Sequence, residues 1–239
     1  MLPESVHYIN KDSELSSVLM KYPVSVLFIE HFGIHLPLST KTIKEICEEY
    51  KINPELFLTL LYIYIDDSRS SIPVLGTSDV PQIIFYLKNC HNYYLQEIYP
   101  EILDLIKTIH SNKNTPEISL IKKFFEDYFN EVKEHLDYEN DVVFPYMTLL
   151  YDCILKNKKC NPASGFSVTE YKTHHDDIEE KITDLLNLLI KYLPADADQK
   201  ARRKLFSSLT NLDHDLKIHT KIENLVLIPM VEEMEKQLG

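Results

Sequence analysis

The sequence predicts an all-α protein, in which a small helical N-terminal domain precedes an antiparallel up-and-down bundle of four long helices. Glycine occurs only 4 times in 239 residues, whereas leucine, isoleucine, glutamate and lysine are abundant, and this balance favours helix over sheet. Four long stretches repeat apolar residues at helical spacing, and three modest breaks separate them. Period-two alternation does not extend beyond one segment, so we expect no β-sheet.

The N-terminal domain is predicted to cover residues 1–66 and to contain four short helices between residues 12 and 64. The helices are marked by capping residues, by glycine at an end or by proline in a first turn. These signals are Asp12-Ser13, Gly33, Ser39-Thr40 and Asn53-Pro54. Residues 67–80 are rich in serine, threonine, proline and glycine, which predicts a linker.

The bundle is predicted to cover residues 81–239. Its helices are expected at residues 81–111, 117–156, 167–193 and 198–237. The breaks between them read SNKNTPE, KNKKCNPASGF and LPADAD. Connections of this length place consecutive helices side by side and antiparallel.

A duplicated motif marks the second and fourth helices of the predicted bundle. Residues 135–145 read HLDYENDVVFP and residues 219–229 read HTKIENLVLIP, so both follow H-x-x-x-E-N-x-V-[VL]-[FI]-P. Another histidine stands 44 residues before the first histidine of each copy. The pattern H-x43-H-x3-E therefore occurs twice, with the copies 84 residues apart.

Helix geometry brings the members of each copy to one level. A histidine and a glutamate four residues apart lie on the same helix face. Residues equidistant from the turn of an antiparallel hairpin lie at the same height, and His91 and His135 are nearly equidistant from the first turn. His175 and His219 are equidistant from the last turn. Two such hairpins packed together would place four imidazoles and two carboxylates at one depth.

This donor set predicts a metal site. One histidine–glutamate pair is often no more than a surface hydrogen bond, but equal spacings that occur twice favour a shared site. Imidazoles with carboxylates suit borderline ions such as iron, manganese or zinc, and two glutamates that can bridge indicate two ions. Ferritin-like sites carry Glu-x-x-His instead and contain more glutamates. The predicted ligands are His91, His135, Glu139, His175, His219 and Glu223.

The third helix offers a rival ligand. His174 precedes His175 and points about 100° away from it on a helix. A helical wheel places His175 on an inward stripe with Tyr171, whereas His174 shares a stripe with Asp177 and Lys181. We therefore predict that His175 is the ligand.

Several other polar residues near the motif are candidates for a supporting role. One of the tyrosines that flank the predicted ligands could donate a hydrogen bond into the metal site. These tyrosines are Tyr93, Tyr94, Tyr128 and Tyr138. His214 is expected either to support the site or to be exposed.

Composition restricts the partners and the compartment. The net charge of −12 argues against nucleic acid and against anionic membrane surfaces as partners. No apolar segment reaches the roughly 20 residues that a membrane span needs, and no signal peptide is evident. The four cysteines, which form no CxxC pair, are expected to be reduced. They are Cys47, Cys90, Cys153 and Cys160. We expect a cytoplasmic protein.

Residues 81–239 resemble the di-iron iron–sulfur cluster repair proteins (the RIC, or ScdA/YtfE, type) of the hemerythrin-like superfamily. The matching segments read HNYYLQEIYPEI, HLDYENDVVFP, YKTHHDDIEE and HTKIENLVLIP. The resemblance implies that the six predicted ligands bind two iron ions in an oxo- or hydroxo-bridged centre, with the two glutamates bridging. It also implies an acidic residue after the third-helix histidine, and Asp176 in that place supports His175 over His174.

Residues 12–64 resemble the small N-terminal domain of the same proteins, in the segment DSELSSVLMKYPVSVLFIEHFGI. The family then carries an adjacent pair of cysteines followed by glycine. This chain has Ile34-His35-Leu36-Pro37 there instead. The departure removes the thiols on which any cysteine chemistry of that domain would depend.

The resemblance implies a role in repairing iron–sulfur centres damaged by oxidative or nitrosative stress, with damaged iron–sulfur proteins as partners. The alternative is a di-iron sensor or carrier that binds dioxygen or nitric oxide, and the missing cysteine pair slightly favours it. A third possibility is a bundle without metal. The sequence is compatible with a homodimer, and it does not decide whether the protein is an enzyme.

Overall fold

The computed structural model describes residues 9–65, 75–112, 115–158, 167–168, 171, 178–192 and 198–238. Throughout these segments the regular structure is helical and no strand occurs, although an isolated bridge joins Glu14 and Thr42. The predicted all-α fold class is confirmed.

Four short helices follow the N-terminal residues. They are α1 (Leu15–Lys21), α2 (Ser25–His31), α3 (Ile43–Tyr50) and α4 (Pro54–Ile65). α4 packs against α2 and α3. Gly33 ends the α2 segment as predicted, since it adopts a φ of +73° and donates its N–H to the carbonyl of Glu30. Pro54 begins α4, also as predicted.

The caps expected at Asp12-Ser13 and Ser39-Thr40 are wrong. Glu14 precedes α1 and makes no side-chain cap. Thr42 caps α3 by accepting from the N–H of Glu45, whose carboxylate accepts from the N–H of Thr42. A threonine with glutamate three residues later satisfies two free N–H groups at once, which Ser39-Thr40 could not do.

Long helices follow, and three of them combine α-helix with one π-helical turn. A 3₁₀ turn (Thr77–Asp79) precedes the first, which comprises α5 (Val80–Tyr93), a π turn (Tyr94–Ile98) and α6 (Tyr99–Asn112). The second comprises α7 (Pro116–Tyr138), a π turn (Glu139–Val143) and α8 (Phe144–Leu155). Val168 and Tyr171 are helical, and α9 spans Ile178–Tyr192. The last comprises α10 (Gln199–Ile222), a π turn (Glu223–Leu227) and α11 (Ile228–Leu238).

Each π turn lies just before a proline. Pro100, Pro145 and Pro229 each stand two positions after the last residue of a π turn. Proline offers no N–H to the carbonyl four residues earlier, and its ring clashes with that carbonyl, so a wider turn relieves both problems. Such turns are rare and often mark functional sites. Two of them begin at Glu139 and Glu223, the glutamates of the duplicated motif.

The chain divides into two compact units, Met1–Asn89 with Lys221–Gly239, and Cys90–Thr220. In the second unit, α6 packs on α7 and α7 packs on α9. Thr183 of α9 donates a hydrogen bond to Asp213 of α10, and Ser208 of α10 donates one to Glu101 of α6. These contacts close a ring of four helices. The predicted boundary at residues 67–80 differs from the limits of these units, and the domain assignment stays a prediction.

The cysteines differ in state. Cys47 and Cys90 are buried, and burial raises the pKa of Cys47 to about 12, which disfavours its reactive thiolate form. Cys153 is disulfide-bonded, so the expectation of reduced thiols is wrong for this residue. The absence of a CxxC pair excludes only one kind of cysteine pairing. Cys160 lies outside the described residues.

Candidate metal centre

Three of the predicted ligands meet in the Cys90–Thr220 unit. The ligand atoms of His91, Glu139 and His219 lie within 4.8 Å of one another, among the residues that the structure describes. All three side chains are buried. They come from three different long helices, so the site depends on the tertiary fold. Two imidazoles and a carboxylate form a donor set for a transition-metal ion.

Glu139 lies between two imidazoles. Its Oε1 is 3.0 Å from Nε2 of His135, and its Oε2 is 3.2 Å from Nε2 of His91. Two ligand atoms about 2.1 Å from one ion and about 90° apart are separated by about 3 Å, so the residues fit a metal ion at each oxygen. An N–H···O hydrogen bond has the same spacing, and a proton can therefore take the same place.

Glu139 is suited to act as an ionised ligand. Burial alone would raise the pKa of its carboxyl group, but hydrogen bonds and charge from His135 and His91 hold that pKa well below its usual range. The side chain has no exposed surface, while that of His135 is 15 % exposed. A fully buried carboxylate that keeps its charge offers a strong electrostatic site for a cation.

A tyrosine supports the same carboxylate. Tyr171 is buried and its hydroxyl donates a hydrogen bond to Oε1 of Glu139. This oxygen is also the one that faces His135. The tyrosine therefore fixes the orientation of the carboxylate from a third helix.

The imidazoles of His91 and His219 stack on each other and are flanked by aromatic side chains. Their ring centroids are 5.0 Å apart, with an interplanar angle of 29°. Phe144 stacks on the ring of His91 at 5.4 Å, and Tyr94 lies 5.8 Å from the ring of His219. Tyr94 also donates a 2.7 Å hydrogen bond to Asp215, which lies one helical turn before His219 and is buried. These contacts restrict the rotation of both rings.

The second nitrogen of His91 also has a partner. Its Nδ1 lies 3.2 Å from Oδ1 of Asn140, the residue that follows Glu139 in the duplicated motif. A ring nitrogen that donates to an amide oxygen leaves the other nitrogen to face the carboxylate.

A comparison with protein families identifies the fold and the general function. The model of the hemerythrin HHE cation-binding domain matches residues 82–231. The chain belongs to the hemerythrin HHE family. A search of curated proteins found no match. The HHE match spans the positions of all six predicted ligands, and the buried group of His91, Glu139 and His219 could hold a cation.

The structure describes some of the six predicted ligands of this HHE domain and not others. His91, Glu139 and His219 come together, and His135 faces Glu139. Glu223 is fully buried and begins a π turn one helical turn after His219. Both candidates of the third helix, His174 and His175, lie outside the described residues. Their assignment as ligands stays a prediction.

Sequence reasoning missed two residues that support the site. The first is Tyr171, whose hydroxyl donates to Glu139. The sequence placed it on the inward stripe of its helix but not among the candidate tyrosines, of which Tyr94 donates to Asp215 instead. The second is Asn140, to which the sequence analysis assigned no role. The presence of asparagine at this position in both copies of the motif was the signal that could have identified it.

Among the helices that the structure describes, none has both the length and the apolar character that crossing a bilayer requires.

Proposed function

We propose that this chain is a non-haem di-iron protein of the HHE family. The observation that carries the proposal is the position of Glu139, each of whose oxygens faces a different imidazole. A carboxylate that bridges two ions places one oxygen on each of them. His135 would then hold one ion and His91, with the neighbouring His219, the other. The ligands completing the centre would be His175 and Glu223.

The donor set favours a transition-metal ion, and the resemblance to di-iron proteins favours iron among these ions. Imidazole nitrogens together with carboxylate oxygens suit iron better than magnesium or calcium, which prefer oxygen ligands only. Phe144 packs against the ring of His91 and Tyr94 against that of His219, so the site is lined by aromatic side chains. When bound in such a pocket, paired iron ions supply one-electron chemistry and coordination positions for a diatomic molecule.

We infer that the physiological role is repair of iron–sulfur centres damaged by oxidative or nitrosative stress. The inference rests on the resemblance of four bundle segments to the cluster repair proteins. It makes damaged iron–sulfur proteins the macromolecular partners, and dioxygen or nitric oxide the small ligands, in the cytoplasm.

A second function has one observation in its favour. Where the repair proteins carry two adjacent cysteines, this chain has Ile34-His35, and Ile34 is fully buried in the apolar core. An aliphatic side chain in that place cannot take part in thiol chemistry. A di-iron sensor or carrier of dioxygen or nitric oxide would not need those thiols.

Iron analysis of the purified full-length protein tests the metal centre. We expect two irons per chain and a visible spectrum that changes on addition of nitric oxide. A protein that binds iron only weakly, or with no more than one ion per chain, would contradict the di-iron proposal.

The physiological role needs a separate assay. A [4Fe–4S] enzyme inactivated by nitric oxide should regain activity with the iron-loaded protein and not with its Glu139→Gln variant. Reversible binding of nitric oxide or dioxygen, without recovery of the damaged enzyme, would favour the sensor or carrier.

A further inference from the structure

Two consecutive residues of α7 and its π turn contact the same imidazole from opposite sides. Oε2 of Glu139 is 3.2 Å from Nε2 of His91, and Oδ1 of Asn140 is 3.2 Å from Nδ1 of His91. Successive side chains on a helix diverge by about 100°, so the ring is held in the angle between them. This arrangement depends on the rotation of the second long helix at the place where its π turn begins.

The amide oxygen shows that Nδ1 of His91 carries hydrogen. An amide oxygen can only accept, so Nδ1 must donate to it. Nε2 faces the carboxylate of Glu139, so a metal ion that binds His91 would replace the hydrogen on Nε2 while Nδ1–H stays on Asn140. We propose that Asn140 is a positioning residue that accepts from Nδ1–H of His91 and so keeps Nε2 directed into the metal site. The proposal rests on the proposed metal centre.

The ring contacts of His91 support this role. Phe144 stacks on one side of the ring and His219 on the other, at centroid distances of 5.4 Å and 5.0 Å. Stacking restricts the plane of the ring but allows a 180° flip, which would place Cδ2 where Nδ1 lies and Cε1 where Nε2 lies. The hydrogen bond of Nδ1 to Asn140 opposes this flip and acts together with the contact of Nε2 with Glu139.

The second copy of the motif provides a matched control. Asn224 follows Glu223 as Asn140 follows Glu139, yet its side chain is exposed. Substitution of either asparagine changes the same residue type in the same motif. The structure assigns the supporting role to Asn140, and we expect Asn224 to tolerate replacement.

The experiment compares three variants of the full chain with the wild type. Asn140→Leu keeps the approximate size of the side chain and removes the acceptor. Asn140→Asp keeps an acceptor at this position, and Asn224→Leu is the control for the loss of an asparagine from the motif. The first readout is ¹⁵N–¹H correlation of the His91 side chain in metal-free protein, which reports the Nδ1–H signal and its rate of exchange with water. The second is titration with Fe²⁺ under anaerobic conditions.

We expect a slowly exchanging Nδ1–H in the wild type, in Asn140→Asp and in Asn224→Leu, and a rapidly exchanging or absent Nδ1–H signal in Asn140→Leu. The affinity for Fe²⁺ should fall about 10- to 100-fold in Asn140→Leu, the usual effect of removing a partner of a metal-binding histidine, and stay within a few-fold in the other two. An unchanged exchange rate of Nδ1–H in Asn140→Leu, or an affinity equal to that of Asn224→Leu, would overturn the proposal. If the wild type binds no Fe²⁺, the proposed function fails, whereas the Nδ1–H measurement still decides the role of Asn140.

Discussion

Glu139 combines three interactions on one buried carboxylate. It faces His135 and His91 through different oxygens and accepts a hydrogen bond from Tyr171. Burial of an ionised group is unfavourable unless partners compensate it, and here the partners come from three helices. The negative charge of Glu139, which is unfavourable to bury, would reduce the repulsion between two neighbouring cations.

Replacing Glu139 by glutamine should lower the iron content from two ions toward one. Two unit charges 4 Å apart repel by ~4 kcal/mol at an effective dielectric near 20, and a neutral amide offsets this repulsion less well than a carboxylate. The fold should persist, since size is conserved. Metal analysis and far-ultraviolet circular dichroism check both expectations. We expect Glu223→Gln to act in the same direction, and two irons with an unchanged spectrum in both variants would show that neither glutamate bridges.

Tyr171→Phe should keep both irons but weaken their binding. The change removes only the hydroxyl that orients Oε1 of Glu139, and such supporting contacts commonly contribute about 10-fold or more to metal affinity. Competition with a chelator of known affinity measures the effect. Tyr99→Phe is a matched control, because Tyr99 is also buried but its ring stacks on Phe125 and Phe129, outside the ligand cluster. Equal affinities of the two variants would argue against the orienting role.

The choice between His174 and His175 is a prediction from the sequence. His175→Ala should lose at least one iron, and His174→Ala should keep both, because only His175 shares the helical stripe of the buried Tyr171. Iron analysis of both variants decides the matter. The reverse result would mean that the helix is rotated by one residue.

At the scale of elements, the sequence predicted the long helices well. Residues 80–112, 116–155 and 199–238 are helical, within one or two residues of the predicted ranges, because apolar periodicity and breaks that contain proline and small polar residues define them. The π turns were not predicted. Their relation to the three prolines becomes apparent only when the proline positions are compared with the observed turns.

The prolines lead to a prediction about one π turn. Pro145→Ala restores the N–H that the helix lacks, so the turn at Glu139–Val143 should approach regular α-helix. The metal-free protein should be as stable as before or more stable, since proline inside a helix is disfavoured by up to about 3 kcal/mol relative to alanine. Iron affinity should fall, because Glu139 and Asn140 turn away from His91.

Thermal unfolding of metal-free protein and Fe²⁺ titration test this pair of effects. Pro116→Ala is the control, since Pro116 stands in the first turn of α7, where proline is tolerated. If Pro145→Ala binds iron as tightly as Pro116→Ala, the π turn is not needed for the site.

Contacts between helices were the least predictable part of the site. The duplicated spacing indicated that His91, Glu139 and His219 share one depth, and the structure brings them together. The spacing could not indicate that Tyr171 and Asn140 bond to members of this group. Those bonds depend on the rotation of each helix about its axis, which packing and the π turns determine together.

At the scale of the whole molecule, metal binding should stabilise the fold. A ligand present at about 100 times its dissociation constant and bound only by the folded state adds about 2.7 kcal/mol to the free energy of unfolding. For a chain of 239 residues this corresponds to a rise in Tm of roughly 5–10 °C. Calorimetry with and without Fe²⁺ measures it.

Two variants separate specific from general stabilisation in that experiment. Glu139→Gln should show a smaller rise in Tm than the wild type, because it removes the carboxylate that faces both His135 and His91. His110→Ala should keep the full rise, since His110 contacts Ser119 near the end of α6 and lies outside the ligand cluster. An equal rise in both variants would mean that Fe²⁺ stabilises the protein without using Glu139. No rise in the wild type, at saturating Fe²⁺, would mean that the folded bundle has no preference for the metal over the unfolded chain.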